Sequence, residues 1–137
     1  MEMTTRQIND PVAVTILALR GELDATNYLD VIGRIRDLYA GGSRNLLIDL
    51  GGVTFLSSSG LVALHSAALV MRGEQPPDPE AGWSTFHTMA SDIEHGASSA
   101  CKLLNPQPRV RKSLEVTGFD AYLPIFTDLD EALASFA

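Results

Sequence analysis

Apolar and polar positions follow two different periods along the chain, and the first forty residues show both. The run from Val12 to Leu19 is rich in β-branched and apolar residues, which is typical of a β-strand. The preceding Thr4 to Ile8 predicts a weaker strand, and Asn9-Asp10-Pro11 has the composition of a turn. We therefore expect an N-terminal antiparallel hairpin whose second strand is closed by Gly21.

The next segment has the period of an amphipathic helix. From about Ala25 to Tyr39, apolar residues recur at helical spacing and predict one buried face, formed by Leu29, Ile32, Ile35, Leu38 and Tyr39. Asp24 and Thr26 are both candidates for the N-cap, because their side-chain oxygens can accept a hydrogen bond from the first turn. Gly41-Gly42 predicts the end of this helix.

A second strand–helix unit surrounds the stretch LSSSG at residues 56–60. Leu46 to Leu50 is a near-continuous apolar run, as expected of a central parallel strand that is buried on both faces. After Val53 to Leu56 come three serines, and the apolar residues beyond them predict a helix from about Ser59 to Arg72 with one buried face. The serines therefore mark a junction between strand and helix.

The C-terminal part repeats this alternation. We expect a short strand at Lys102 to Leu104, a helix at Arg109 to Thr117 ended by Gly118, a strand at Leu123 to Phe126, and a last helix from Asp128 to Phe136 with Asp128 as its cap. Strands that alternate with helices imply βαβ crossovers. The predicted fold class is α/β, with a mostly parallel sheet of four to five strands and alternating helices.

One segment breaks the alternation. Residues 73–100 are far longer than the usual connection of about 2–6 residues, which marks them as an insertion. Pro76, Pro77 and Pro79 predict an extended start, and a helix from Asp78 to His95 could follow, with one side formed by Trp83, Phe86, Met89 and Ile93. This inserted helical arm either packs on its own domain or joins two copies into a homodimer.

Composition narrows the class of protein and its partners. A chain of 137 residues with 45% hydrophobic and 20% charged residues suits one globular domain, residues 1–137. The net charge of -7 argues against nucleic acid and anionic membrane as partners. No apolar run reaches the ~20 residues of a membrane span and no secretory signal is visible, so we expect a cytoplasmic protein. The single cysteine, Cys101, is expected to be a core residue.

Two roles are open for the serines at the strand–helix junction. A serine at such a position usually caps the helix, and one serine is enough for that role. A helix N-terminus also presents free N–H groups and a partial positive charge, which accommodate a phosphate. A phosphorylated serine would therefore be stabilised within its own domain and would add charge to any surface docked over it.

Four motifs are spread along the chain: GELD at residues 21–24, LLIDLGGVTFLSSSGLVAL at 46–64, NPQPRV at 105–110 and LEVTG at 114–118. Together they resemble the STAS domain of bacterial anti-sigma factor antagonists. The resemblance covers nearly the whole chain except the insertion. It implies a STAS-like fold and a protein that binds an anti-sigma factor when unphosphorylated. The anti-sigma factor would double as the serine kinase, and a serine phosphatase would reset the switch.

The resemblance also assigns roles to residues at this junction. It implies that Ser58 is the phosphoacceptor, with Ser57 as the alternative, because Ser57 stands where the family has Asp. Loops that follow neighbouring parallel strands emerge at the same sheet edge, so we expect the loop of Asp24 to lie beside the loop of residues 57–60. The resemblance implies that these two loops form the partner-binding surface, with Asp24, Ser57, Ser59 and Gly60. For Asp24, helix capping is an equally good reading. Gly60 either admits a partner backbone or relieves crowding in the first helical turn.

The sequence motifs give little support to a catalytic function. The nucleophile elbow needs glycines two positions before and after the serine, and Leu56 stands at the first of these positions. His65, His87 and His95 form neither a triad nor a zinc motif, and no phosphate-binding glycine loop is present. We expect a protein without catalysis, cofactor or metal. The alternative function is a non-phosphorylated STAS scaffold, an assembly subunit of a multiprotein or transporter-associated complex.

Overall fold

A computed structural model describes residues 1–74 and 98–137 of the chain. Five strands form one sheet in the order β1-β2-β3-β4-β5, and all neighbours are parallel except the antiparallel pair β1–β2. The strands are β1 Glu2–Ile8, β2 Val14–Leu23, β3 Leu46–Leu56, β4 Cys101–Leu104 and β5 Ile125–Phe126. The helices of the described ranges are α1 Tyr28–Ala40, α2 Ser58–Met71, α3 Pro108–Thr117, α4 Phe119–Tyr122 and α5 Leu129–Ala134.

The predicted α/β fold, with its mostly parallel sheet and N-terminal hairpin, is confirmed. The helix expected at residues 78–95, with its Trp83, Phe86, Met89 and Ile93, lies outside the described residues. The homodimer expected through this arm therefore stays a prediction.

Strand β2 extends further than its apolar pattern predicts. Gly21 does not close the strand, which continues to Leu23. The pairing of β2 with β3 shifts register between Ala18 and Arg20 and again between Gly21 and Glu22. Gly21 has a φ of 115°, a conformation that glycine adopts without a steric penalty, so the irregular strand can stay paired. The prediction of an end at Gly21 is wrong because pairing with the long β3 carries the strand beyond it.

The main core lies between the sheet and helices α1 and α2, and a smaller core on the other face lies under α5. Helix α2 is buried along its length from Gly60 to Met71, so the prediction of a single buried face is too narrow. Its neighbours explain this, since α1 packs beside α2 and the ring of Tyr122 from α4 lies 5.9 Å from that of His65. Helix α2 is thus the central helix of this face.

Helix α1 begins at Tyr28, three residues later than predicted. Val31, Ile32 and Ile35 form its buried face, and Leu29 is 44% exposed although its spacing predicts burial. Leu29 lies to one side of this face, whereas the adjacent Tyr28 packs against the core. The expected end at Gly41 is confirmed, since Gly41 N donates to Asp37 O at 2.9 Å.

The C-terminal elements follow the predicted order with one addition. Helix α3 ends at Gly118, which has a φ of 80°, as predicted. The predicted cap of α5 is also confirmed, since the Asp128 side chain accepts a hydrogen bond from Asp130 N at 2.8 Å. The last strand is confined to Ile125–Phe126. A short helix with the buried Phe119 and Tyr122 precedes it, and Leu123 N bonds back to Phe119 O, which keeps Leu123 out of the sheet.

Candidate functional site

The two loops that were expected to meet do lie side by side. Strands β2 and β3 run parallel, and their last paired residues are Leu23 and Leu56. The backbone N–H of Ser57 then donates to the carbonyl oxygen of Leu23 at 3.0 Å. The chain leaving β2 toward Asp24 and the chain leaving β3 toward Ser58 are therefore held together by a backbone hydrogen bond, and their proximity is confirmed.

One of the three serines is the helix cap. Ser57 has extended backbone angles, and its Oγ accepts a hydrogen bond from Gly60 N at 3.2 Å. Its carbonyl oxygen accepts from Leu61 N at 3.1 Å, the first hydrogen bond of the helix ladder. Ser57 thus performs at this junction the capping that an Asp side chain also performs well. The capping role predicted for the serine run is confirmed and belongs to Ser57.

Ser58 is the first residue of α2, and it is exposed to solvent. Ser57 and Ser59 on either side are half-buried. The first turn contains no acidic residue. In an α-helix the N–H groups of the first turn lack intrahelical acceptors, so a negative charge at this position is favoured.

Gly60 is buried, and the surrounding packing explains why the residue is glycine. A Cβ at this position would lie 2.9 Å from the carbonyl oxygen of Leu23 and 2.5 Å from Cδ1 of Leu56. Both distances are shorter than van der Waals contact. The absence of a side chain therefore lets α2 begin directly against the ends of β2 and β3. Of the two roles predicted for Gly60, these distances support relief of crowding in the first turn of the helix.

Asp24 lies in the adjacent loop and is half-buried. Its Oδ1 accepts hydrogen bonds from Thr26 Oγ1 at 2.5 Å and from Thr26 N at 2.9 Å. The hydrogen bond from the Thr26 hydroxyl and then that from its backbone N–H lower the pKa of the Asp24 carboxyl, which favours the ionised form. Asp24 therefore presents a fixed negative charge close to Ser57.

Neither Asp24 nor Thr26 caps α1, and that prediction is wrong. The residue at the cap position is Asn27, whose Oδ1 accepts from Asp24 N at 3.1 Å and whose Nδ2 donates to Glu22 O at 2.7 Å. Asp24 and Asn27 instead close a turn between β2 and the helix, and this turn delays the start of α1.

A groove of about 460 Å³ opens beside Ser58, between the start of α2 and helix α3. Leu56 and Leu61 contribute apolar surface from one side, and Val116, which is 77% exposed, contributes it from α3. Arg109 and Lys112 line the same groove, and the guanidinium of Arg109 lies 5.6 Å from the ring centre of Phe55. The groove thus combines an apolar floor with two cationic side chains in a chain of net charge -7.

The sequence by itself does not reveal this groove. Arg109, Arg111 and Lys112 form a small basic cluster at the start of a helix, which is typical of a solvated face. The signal was the helical spacing of positions 109, 112, 113, 116 and 117, which places them on one side of α3. That spacing becomes informative only once α3 is known to lie beside the start of α2.

Other candidate groups lie away from this region. His65 is buried in the middle of α2, and Cys101 is buried at the start of β4, where burial raises the pKa of its thiol to about 12. The positions of His87 and His95 are outside the described residues. Within the described ranges, no three His, Cys, Asp or Glu side chains are placed to share a metal ion. None of the helices in those ranges has the length and apolar character of a membrane span.

Solved structures with similar folds include an anti-sigma factor antagonist from Mycobacterium paratuberculosis, 21% identical with a TM-score of 0.66 over 98% of this chain and 94% of that chain. Protein TM1081 from Thermotoga maritima is 17% identical with a TM-score of 0.71, over 98% and 93%. The Bacillus cell fate determinant SpoIIAA in its phosphorylated form is 18% identical with a TM-score of 0.54, over 98% and 100%. At such low identities the likeness establishes the fold.

The comparison with families is more specific. No functionally curated protein matches the chain significantly. The family model of the STAS domain matches residues 3–72, which is just over half of the chain. This match contains the hairpin, both loops of the site and the whole of α2. With the five-stranded sheet and the helix that starts at Ser58, it shows that the chain belongs to the STAS domain family.

Proposed function

We propose that the protein is an anti-sigma factor antagonist that works as a phosphorylation-regulated docking switch. In the unphosphorylated state it binds an anti-sigma factor that is also a serine kinase. Phosphorylation of Ser58 ends this binding, and a serine phosphatase restores it. The observation that carries the proposal is the exposure of Ser58 at the first position of α2, beside the loop of Asp24. The switch is cytoplasmic and itself performs no catalysis.

The hydrogen bonds of the junction favour Ser58 over Ser57 as the acceptor. The Ser57 Oγ already accepts from Gly60 N, and Ser57 is half-buried. A kinase would have to break this cap to reach the Ser57 oxygen. Ser58 is exposed, so its hydroxyl can attack the γ-phosphorus of ATP. The O–P bond to ADP breaks as the new one forms, and the hydroxyl proton passes to a base of the kinase.

The effect of the phosphate on docking is electrostatic and local. A phosphoserine adds roughly -1.5 to -2 charge at neutral pH. The start of α2 stabilises this charge within the domain, so the fold persists while the surface changes. We assign the docking rim to Asp24, Ser57 and Ser59, with Gly60 beneath them setting the position of the helix. A partner surface that fits the rim of the unmodified protein would then meet the added negative charge, and binding would be lost.

The kinase reaction tests this function directly. The full chain is incubated with ATP, Mg²⁺ and its cognate serine kinase, and phosphate is located by mass spectrometry. We expect phosphate on Ser58, full loss of it in Ser58→Ala, and its retention in the matched control Ser99→Ala, which changes an exposed serine outside the site. Calorimetry should then show binding of the kinase to the unmodified chain and at least tenfold weaker binding to the phosphorylated chain. Absence of phosphate from Ser57, Ser58 and Ser59 would refute the proposal.

A second candidate is a scaffold subunit of a multiprotein or transporter-associated complex, without phosphorylation. Ser57 favours it, because the family has an acidic residue at this position. For this function, Ser58→Glu should leave the assembly of the complex in cells unchanged. Under the switch, the same variant should release the kinase. Co-purification of the tagged full chain and its Ser58→Glu variant separates the two.

A further inference from the structure

The groove beside Ser58 contains a feature that the docking model does not use. Among the described residues that line it are two cations, Arg109 and Lys112, and no acidic side chain. They lie three positions apart on α3, so both side chains leave the helix on the side that faces the start of α2. Arg109 and Lys112 are both exposed, and their flexible side chains are long enough to move within a groove of about 460 Å³.

Acidic groups near this site are on other surfaces. Glu115 is on α3 but does not line the groove, Glu22 is near the end of β2, and Asp24 is in the loop after it. The Asp24 carboxylate is held by Thr26. For Arg109, the contact resolved is with the aromatic ring of Phe55, 5.6 Å away. A dianion placed on Ser58 would therefore be the strongest opposite charge available to either cation within the groove.

We propose that Arg109 and Lys112 form a clamp for a phosphate carried by Ser58, so that the modified side chain is bound within its own domain. This rests on the proposed function in that Ser58 must be the modified residue. The guanidinium donates N–H groups to the phosphate oxygens, and the ammonium adds a second positive charge. Together with the first-turn amides of α2, they stabilise the dianion within its own domain.

The clamp has a consequence for the apolar floor of the groove. Arg109 and Ser58 line the same groove as Leu61 and Val116. An Arg109 side chain bound to the phosphate would lie over this apolar floor and would close it to a partner side chain. Phosphorylation of Ser58 therefore removes an apolar docking surface as well as adding negative charge.

The clamp is tested without any kinase, by placing phosphoserine at position 58 of the full chain during translation. The phosphate is titrated by ³¹P NMR in the wild-type background and in Arg109→Ala/Lys112→Ala. Since nearby cations favour the dianion, we expect the phosphate pKa to be about 0.5 to 1 unit lower in the wild-type background. The difference should nearly vanish in about 1 M salt, where the screening length is about 3 Å.

Matched variants guard against indirect effects. Arg111→Ala removes a cation from the same helix but from outside the groove, and should leave the phosphate pKa unchanged. The conservative pair Arg109→Lys/Lys112→Arg keeps both charges and should restore the lower pKa. If the double alanine variant unfolds, the single variants Arg109→Ala and Lys112→Ala provide the same comparison.

Two results would overturn the clamp: equal phosphate pKa values in the wild-type background and the alanine variants, or an equal shift caused by Arg111→Ala. Neither result bears on whether a kinase modifies Ser58. Conversely, a chain that no kinase phosphorylates would still show the shift, so failure of the clamp and failure of the proposed function are distinguishable.

Discussion

Substitution of Gly60 by alanine tests how closely α2 is seated against the sheet. The new methyl carbon would lie 2.5 Å from Leu56 Cδ1, 3.0 Å from Leu23 Cγ and 2.9 Å from Leu23 O. The leucine side chains can rotate, but the Leu23 oxygen belongs to the backbone and accepts the hydrogen bond of Ser57 N. Relief of the clash therefore has to move the junction of the two loops.

The magnitude follows from three opposing effects. Overpacking costs about 1–3 kcal/mol, and weakening the bond to Leu23 O costs about 1 kcal/mol. Alanine's higher helix propensity returns at most about 1 kcal/mol. The net loss for Gly60→Ala is then about 1–3 kcal/mol. With an unfolding entropy of about 2.1 cal/mol/K per residue over 137 residues, this lowers Tm by about 4–10 °C.

Urea unfolding followed by circular dichroism measures this loss, and Gly33→Ala is the matched control. Gly33 is inside α1, and a Cβ there would meet nothing within 4 Å. This control should gain about 0.5–1 kcal/mol from helix propensity alone. The reasoning is refuted if Gly60→Ala is as stable as the wild type, or if both variants change stability in the same direction.

Three further predictions concern single side chains. Ser57→Ala should lower the free energy of unfolding by about 1 kcal/mol through loss of the cap, whereas the exposed Ser58→Ala should change it by less than about 0.5 kcal/mol in the same urea assay. Burial raises the pKa of the Cys101 thiol from 9.0 to about 12, so the thiol of the unfolded chain loses its proton at lower pH than that of the folded chain. The free energy of unfolding should therefore fall as the pH rises from 9 toward 12. This is contradicted if the stability of the wild type relative to Cys101→Ala does not change over that window. Lys102→Ala should lower the free energy of unfolding by about 1.5–3 kcal/mol, because Lys102 Nζ donates hydrogen bonds to Ser135 O at 2.8 Å and to Ser135 Oγ at 2.9 Å. A loss below about 0.5 kcal/mol would show that these bonds hold α5 only weakly.

Local patterns predicted most of the elements of this protein. Composition identified the strands of the hairpin and the central run from Leu46 to Leu50. Turn and cap chemistry predicted ends at Gly41 and Gly118 and the cap at Asp128. These features depend on a few adjacent residues, so they can be read without knowing what lies nearby. The serine run was recognised as a junction for the same reason.

The errors arose where burial depends on distant parts of the chain. Leu29 was predicted to be a core residue but lies to one side of the buried face of α1, and Tyr28 packs against the core instead. Gly21 looks like a strand end, yet pairing with β3 carries the strand past it. The turn that joins Asp24 to Asn27 uses side-chain bonds that compete with helix capping, and no periodicity reveals them.

The sequence alone determined the α/β alternation, the likeness to STAS domains, and the place of Ser58 at the start of a helix, because these follow from neighbours along the chain. Only the tertiary structure decided which serine is the cap, why residue 60 has no side chain, and that Arg109 and Lys112 face Ser58 across a groove. Those facts depend on how α2 and α3 pack on the sheet, and contacts between residues some fifty positions apart leave no period in the sequence.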